Sequence, residues 1–271
     1  MNIFIMTDLE GVAGVLNKHS WVLPGTAYYE KAKRLLTEET NAACRGFLKA
    51  GATGIVVCDG HGPGGIDPEI LHEEASLIRG FPEGYPCGLT NDFDCVAWVG
   101  QHAKSNTPNA HLAHTGNHQV WDYTINGLSL GEFGQFALCA CMMGVTPVFA
   151  SGDEALCREA MALLPGMETV AVKKGREPGT GEQWSHEEYD RANDSALHLA
   201  PSKARRLIEE GSQKALERWK AHKDSFSMLK MDPPYVKKVW FRASGNAPAY
   251  SIKATSLDHI WDVINHPGEK E

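Results

Sequence analysis

Acidic and histidine side chains recur in this sequence where predicted strands end, and their types are those of metal ligands. Asp8 and Glu10 come directly after a short apolar run, residues 2–7, that predicts a buried strand. In extended backbone, residues two apart point to the same side, so these carboxylates would repel each other unless a cation or a proton lay between them. The two acids therefore indicate a metal site, with a helix cap plus a solvated charge as the alternative.

Three further candidates lie at comparable positions. His61 follows the apolar run GIVVCD (54–59), His102 lies in the run CVAWVGQHA (95–103), and Glu132 begins a predicted helix. Taken singly, each has an ordinary structural explanation, such as a hydrogen-bonded histidine or an acid favoured at a helix N-terminus. Together, two histidines and three carboxylates form a nitrogen and oxygen set suited to zinc, or to manganese. Five ligands that share one carboxylate can make two three-ligand sites with open positions, as catalytic metal centres have.

A second histidine group, His111, His114 and His118, follows the third apolar run. A loop histidine near a metal pair can act as general base, general acid or oxyanion stabiliser, because its ordinary pKa lies near neutrality. The residue types leave the choice among these roles open. His111 and His118 also have an alternative as surface or supporting residues.

Composition excludes several classes of protein. The chain has 26 basic and 34 acidic residues and a net charge of -8, which argues against nucleic-acid and anionic-membrane partners. No apolar run approaches the roughly 20 residues of a membrane span, and the first residues lack the basic region of a signal peptide. Seven scattered cysteines are typical of reduced thiols. We expect a soluble, cytoplasmic protein.

Apolar strand patterns alternate with helical patterns in the first half of the chain. The predicted strands are 2–7, 54–59, 95–103 and 145–151, and the predicted helices are 28–50 and 132–143. A hairpin is expected around Asn126-Gly127. This order favours an α/β fold with a mainly parallel, Rossmann-like sheet and helices on both faces. Such sheets bind their ligands at the carboxyl ends of the strands, where the candidate residues fall.

The second half is less regular. It contains predicted strands at 167–172 and 235–243 and an amphipathic helix from 201 to about 219. Residues 174–196 are polar and Gly-rich, which indicates an insertion or a mobile loop. We expect a metal-binding catalytic α/β domain over 1–165 and a smaller C-terminal α+β domain over 166–271.

A chain of motifs gives the sequence a family resemblance. The motifs are TDLEGVAGV (7–15), LLTEETNAA (35–43), GATGIVVCDGHG (51–62), VGQHA (99–103), LAHT (112–115), NGLSLGEFGQFA (126–137), SGDEALCREA (151–160) and LLPGMETVAVK (163–173). In order and spacing they resemble the zinc-dependent D-aminopeptidases of bacteria, the family that includes a dipeptide-transport-associated enzyme of bacilli. The likeness covers about the first 170 residues and thins over 174–196 and beyond 220.

The resemblance implies a division of the candidate ligands between two zinc ions. Asp8 would bridge the ions, Glu10 and His61 would complete one site, and His102 and Glu132 would complete the other. It also implies a large ring-like homo-oligomer, for which a decamer is the size we consider.

The resemblance also places the catalytic histidine of the family on His114, in LAHT. The loop from His102 to His114 is one residue longer than in the typical member, so His111 is a competitor for the role. The family description treats this histidine as a nucleophile, whereas the metal chemistry by itself favours acid/base or oxyanion work. At positions 58 and 60, relatives often have Asn and Ser. Asp59 is kept and is expected to orient a ligand histidine.

The expected function is therefore that of a dinuclear-zinc aminopeptidase or amidohydrolase that releases N-terminal amino acids, of D configuration, from short peptides or amino amides. Three alternatives stay open. A hydrolase of another small amide or of a phosphoester could use the same two metals, although no Arg/Lys cluster near the motifs would grip a phosphate. A nucleotide-binding module would need a glycine pattern that GHGPGG does not fit. The third is an assembly protein with a relict site.

Overall fold

The computed structural model describes all 271 residues, Met1–Glu271. The strands are β1 (Asn2–Thr7), β2 (Gly54–Asp59), β3 (Ala75–Ile78), β4 (Cys95–Gln101), β5 (Val120–Ile125), β6 (Leu128–Ser129), β7 (Thr146–Asp153), β8 (Glu168–Gly175), β9 (Ala196–His198), β10 (Tyr235–Phe241), β11 (Tyr250–Ser256) and β12 (Glu269–Lys270). The helices are α1 (Lys18–Trp21), α2 (Tyr29–Lys49), α3 (Glu132–Met142), α4 (Glu154–Leu163), α5 (His186–Ala192), α6 (Pro201–Ala221) and α7 (Ile260–Asn265), with a 3-10 turn at Lys223–Ser225. None of these helices has both the length and the apolar character of a membrane span.

The larger sheet has seven strands in the order β3-β2-β1-β4-β7-β8-β9, all parallel except β9. Alternate residues of β1 face opposite cores, because side chains alternate across a strand. Ile3 and Ile5 pack with α2 and α6, whereas Phe4 and Met6 pack with α3 and α4. Both faces of the sheet are therefore covered, which explains why every residue of β4 is buried. The predicted α/β class with a mainly parallel sheet is confirmed.

A second, antiparallel sheet has the order β12-β11-β10-β5-β6. The hairpin between β5 and β6 turns at Asn126 and Gly127, whose φ angles of 49° and 81° are those of the two-residue turn that this pair predicts. Apolar residues of this sheet pack against α7 and against Leu138 and Cys139 of α3. Helix α3 thus lies between the two sheets and joins them.

Membership of the two sheets does not follow the predicted division at residue 165. Strands β8 and β9 and helix α6 belong to the larger sheet and its cover, whereas β5 and β6 belong to the antiparallel sheet. The two-domain division stays a proposal. If a second domain is drawn, we propose to draw it around the antiparallel sheet, from 120–129 and 235–270.

The polar stretch 174–196 is not a structureless loop, and in this respect the prediction is wrong. It holds the end of β8 and all of α5, and it ends where β9 begins. Helix α5 starts with a reciprocal capping box, in which the Ser185 side chain accepts from the Glu188 amide and the Glu188 carboxylate accepts from the Ser185 amide. Tyr189 anchors the helix, since it is only 3% exposed. The helix could not be predicted from its polar sequence, because Tyr189 is the one buried side chain in it.

Candidate metal centre

The five predicted ligands meet at the carboxyl ends of the central strands. Asp8 and Glu10 follow β1, His61 follows β2, His102 follows β4, and Glu132 opens α3. The backbone that carries Asp8 and Glu10 crosses the end of β4, where the Gly11 amide donates to the Gly100 carbonyl at 2.7 Å. A side chain at Gly11 would place its Cβ 2.0 Å from the Gln101 carbonyl oxygen, so only glycine fits there.

Asp8 lies between two histidines and offers each a different oxygen. Its Oδ1 is 3.3 Å from His61 Nδ1, and its Oδ2 is 3.2 Å from His102 Nε2. Glu10 Oε2 is 3.1 Å from the same His61 nitrogen, and Glu132 Oε1 is 3.7 Å from His102 Nε2. The side chains therefore form two groups that adjoin at Asp8.

Two compact sets of ligand atoms result. In each, one ligand atom per residue lies within 4.8 Å of the others: Asp8, Glu10 and His61 in one set, and His102, His114 and Glu132 in the other. The second set includes His114, for which the family resemblance implies catalysis and not metal binding. His114 Nε2 is 3.6 Å from Glu132 Oε1, and the Gly116 amide donates to the same carboxylate oxygen at 2.7 Å.

Backbone carbonyls fix the tautomer of each histidine. A carbonyl oxygen only accepts, so the ring nitrogen that faces it is the one that carries the hydrogen. His61 Nε2 lies 3.1 Å from the Val22 carbonyl, His102 Nδ1 lies 2.9 Å from the Ala103 carbonyl, and His114 Nδ1 lies 2.8 Å from the Leu112 carbonyl. In the neutral rings the opposite nitrogens, which face the carboxylates, are then free to bind a metal. This is the usual arrangement of metal-bound histidines.

The donor set fits a bound cation. In the neutral tautomers that the carbonyls fix, Glu10 Oε2 and His102 Nε2 are buried acceptors whose nearest neighbours, His61 Nδ1 and Asp8 Oδ2, are acceptors too, which is costly unless an ion or a proton lies between them. Burial lowers the pKa of His61, but the nearby Glu10 and Asp8 carboxylates outweigh it and raise that pKa to about 12. Burial raises the pKa of Asp8, but hydrogen bonds and charge from His102 and His61 hold it well below its usual value. The pocket thus favours positive charge among its carboxylates, and metal ions or protons can supply it.

His111 and His118 lie outside both sets. The ring of His111 is fully buried, with its Nε2 3.2 Å from the Leu16 carbonyl, and burial lowers its pKa to about 2. His118 packs beside His114, with 4.9 Å between ring centroids, and its Nδ1 lies 2.7 Å from Asp190 Oδ1. His111 therefore does not compete for the position next to the metal ligands, and His118 is a buried supporting residue.

Asp59 does not orient the His61 ring, so that prediction is wrong. Its carboxylate accepts from the Gly65 and Ile66 amides and thereby fixes the loop that carries His61. The ring is oriented by Val22, which comes from the turn after α1. The short separation of Asp59 and His61 in the sequence suggested a contact between them. In the structure their side chains have different partners.

Two supporting residues were missed at the sequence level. Gln101 Nε2 donates to Asp8 Oδ2 at 3.0 Å. Arg79 Nη1 donates to the carbonyls of Asp59 and His61 at 2.9 and 2.8 Å, across the loop after β2. Gln101 directly precedes His102, and this position at a strand end was a usable signal. Arg79 carries no local signal, because its role depends on the pairing of β2 with β3.

The ligands open into a cavity of about 580 Å³ between the two sheets. One wall holds four of the five candidate ligands, Asp8, Glu10, His61 and Glu132, together with His114. The other wall is apolar and comes from the antiparallel sheet, with Val120, Tyr123, Val239, Phe241 and Ile252. Such a cavity, apolar with a few convergent polar groups, is the usual form of a small-molecule site.

Known proteins resemble this chain in sequence and in fold. The family model described as peptidase M55, D-aminopeptidase, matches residues 1–256. The chain is 28% identical over 250 residues to the D-aminopeptidase of Bacillus subtilis (strain 168). The aligned region covers 91% of this chain and 84% of the relative. It is similar in fold to the Zn-dependent D-aminopeptidase DppA from Bacillus subtilis, described as a self-compartmentalizing protease, with a TM-score of 0.82, 24% identity and coverage of 97% and 95% of the two chains.

The fold, the site and the family match together define an aminopeptidase, a hydrolase of peptide bonds. The chain belongs to the M55 family of D-aminopeptidases. The resemblance found in the sequence and the expected enzyme class are both confirmed.

Proposed function

We propose that this chain is a dinuclear zinc aminopeptidase that releases N-terminal D-amino acids from short peptides or amino amides. The observation that carries the proposal is the position of Asp8, whose two carboxylate oxygens face His61 and His102 separately. A carboxylate so placed can bridge two ions. The Zn-dependent relative and the nitrogen and oxygen ligand set support zinc as the metal.

We assign the remaining ligands by proximity. Glu10 and His61 would complete one site with Asp8, and His102 and Glu132 would complete the other. When bound, the two ions would polarise the scissile carbonyl and lower the pKa of the attacking water toward about 7. The protein holds the ligand rings in place through the carbonyls of Val22 and Ala103.

His114 would be the reactive side chain of the protein itself. Its Nδ1 hydrogen is directed to the Leu112 carbonyl, so the lone pair of Nε2 is on the side of Glu132 and the cavity. This nitrogen can take a proton as water attacks and return it to the leaving amine. Attack on the carbonyl carbon, the nucleophilic alternative, would use the same lone pair. Both roles require the tautomer that the Leu112 contact fixes.

The shape of the cavity supports a short substrate. A volume of about 580 Å³ suits a small peptide or an amino amide, and the apolar wall of the antiparallel sheet would receive its side chain. D-selectivity would follow from how the substituents of the substrate's α-carbon are placed relative to that wall. Since the structural relative is self-compartmentalizing, we propose a ring-like homo-oligomer for this chain too, with light scattering as its test.

Two lysines line the cavity, but both are engaged elsewhere. Lys18 pairs with Asp190, and Lys237 donates to the carbonyls of Ile264 and His266. No free cation is then left in the lining to grip a phosphate, which disfavours a phosphoesterase.

The test combines metal content with a substrate panel. Protein never exposed to chelator should carry two zinc ions per chain by elemental analysis. It should hydrolyse D-alanyl dipeptides and D-alanyl amides faster than their L counterparts and faster than p-nitrophenyl phosphate. Preference for the phosphoester, or fewer than about one zinc per chain, would overturn the proposal.

A further inference from the structure

We propose that Tyr189 and Asn193, from the polar stretch 174–196, are positioning residues that fix the direction of the His114 imidazole. They do so by holding the backbone that precedes it. The inference rests on the proposed function, in which His114 is the reactive residue. It gives this stretch, which has no role in metal binding, a part in the reaction.

The Ala113 carbonyl accepts two side-chain hydrogen bonds from this stretch. Tyr189 Oη donates to it at 2.9 Å and Asn193 Nδ2 donates at 2.8 Å. In the opposite direction, the Leu112 amide donates to the Asn193 carbonyl at 3.0 Å. Tyr189, Asn193 and Ala113 are all buried, so water does not replace these bonds when one is removed. The backbone of Leu112 and Ala113 is thus held from both sides by two residues of one helical turn.

Leu112 has a backbone conformation that needs such support. Its φ is 55°, in the left-handed region that side chains other than glycine rarely adopt. In this conformation the Leu112 carbonyl accepts the Nδ1 hydrogen of His114 at 2.8 Å. Strained residues of this kind persist where the surrounding structure over-determines them. The hydrogen bonds to Ala113 and Leu112 supply that constraint. They thereby keep the Leu112 carbonyl in the position where it accepts from His114 Nδ1 and fixes the tautomer.

The same helix also fixes the ring next to His114. Asp190 lies between Tyr189 and Asn193 in the sequence, and its Oδ1 is 2.7 Å from His118 Nδ1. His118 packs against His114 with 4.9 Å between ring centroids. His114 is therefore confined by its own backbone and by a neighbouring ring, and both are held from α5.

Helix α5 and the turn before it are held by the segment that directly follows β10. The Arg242 guanidinium lies 4.0 Å from the centre of the Tyr189 ring and donates to the Gly181 and Trp184 carbonyls. The Ser244 hydroxyl donates to Glu187 Oε1 at 2.8 Å. These contacts make α5 a fixed support and not a free flap.

Neither Tyr189 nor Asn193 lines the cavity, whereas Leu112 and His114 do. Loss of the support should therefore change turnover more than substrate binding. A displacement of about 1 Å at a reacting group can cost about 100-fold in rate.

The test uses Tyr189→Phe, Asn193→Leu and the double variant in the full-length protein. We expect kcat on a D-alanyl dipeptide to fall about tenfold in each single variant and about 100-fold in the double. KM should change less than about twofold, and zinc content should stay that of the wild type. Tyr235→Phe and Asn41→Leu are the controls, because each removes a side-chain hydrogen bond from a buried residue to a backbone carbonyl (Met231 and Ile70) and neither residue lines the cavity. They should lower the melting temperature by a similar amount and leave kcat unchanged.

A second measurement does not depend on activity. Crystal structures of the wild type and the double variant, at the same metal loading, should show that Leu112 leaves the left-handed region and that the Nδ1 contact of His114 is lost. An unchanged Leu112 φ and His114 contact in the double variant would overturn the inference, as would a kcat equal to that of the wild type. A wild type that hydrolyses no aminoacyl substrate would instead refute the proposed function, and the crystal structures would still decide whether the support exists.

Discussion

The imidazole rings of His102 and His114 stack face to face, with 4.1 Å between their centroids and 16° between their planes. Glu132 Oε1 lies near the Nε2 atoms of both rings, at 3.7 Å from His102 and 3.6 Å from His114. Two positively charged rings at this distance would repel each other. The stack therefore suits one ring that binds a metal and one neutral ring that exchanges a proton.

Substitution of each histidine can distinguish their two roles, because only one of them is expected to bind zinc. His114→Ala should lower kcat at least about 1,000-fold, within the range for loss of an acid/base group, and keep two zinc ions per chain. His102→Ala should lose both activity and one of the two ions. Elemental analysis beside a D-alanyl dipeptide assay measures both effects. Zinc loss in His114→Ala would make that residue a ligand instead.

Asp8 should be the residue on which both ions depend. Asp8→Ala removes the carboxylate that faces both His61 and His102, so we expect neither ion to be retained and no measurable turnover. Glu10→Gln is the matched comparison, since Glu10 faces only His61, and it should keep one ion. Two ions bound to Asp8→Ala protein would end the bridging assignment.

The proximity of the candidate ligands could be predicted from the sequence, because they follow buried strands whose ends must meet. Asp8, His61 and His102 could be placed together from the apolar runs alone, since parallel strands share an edge. The contacts that orient the rings could not be predicted. Val22 and Ala103 act through their carbonyls, which every residue has, and the support from Tyr189 depends on the path of a polar stretch back to the sheet. The antiparallel sheet was also hidden, because β5 finds its partner β10 more than a hundred residues later in the chain.

Removal of the metal should destabilise the folded chain. Without ions, the charge of the buried Asp8 and Glu10 carboxylates is balanced only by protonated histidines and by Lys173, whose Nζ donates to the Glu10 carbonyl. Each zinc ion, at about 100 times its dissociation constant, should add about 2.7 kcal/mol to the free energy of unfolding. Thermal melts of chelator-treated protein, with and without added zinc, measure this difference. The same titration on Asp8→Ala is the control and should show no shift; an equal shift there would mean that zinc stabilises the protein from another site.

Glu39 should make stability depend on pH in a way that one substitution removes. Burial raises its pKa to about 8, its Oε1 accepts from the Ala13 amide at 3.0 Å, and its Oε2 has no partner. In the unfolded chain the pKa is about 4.3. The folded state therefore binds the proton more tightly, and the stability this provides is complete below about pH 4 and is lost as pH rises through about 8.

Glu39→Gln keeps the shape of the neutral side chain and cannot ionise. The difference in free energy of unfolding between Glu39→Gln and the wild type should grow in favour of the variant as pH rises. It should grow by up to about 1.4 kcal/mol per pH unit between about pH 5 and 8 and then become constant. Urea unfolding of both proteins at several pH values measures the gain. Glu30→Gln, on the exposed face of the same helix, is the control and should follow the wild type at every pH. If the difference between Glu39→Gln and the wild type stays constant with pH, Glu39 is ionised in the folded protein and the expectation is wrong.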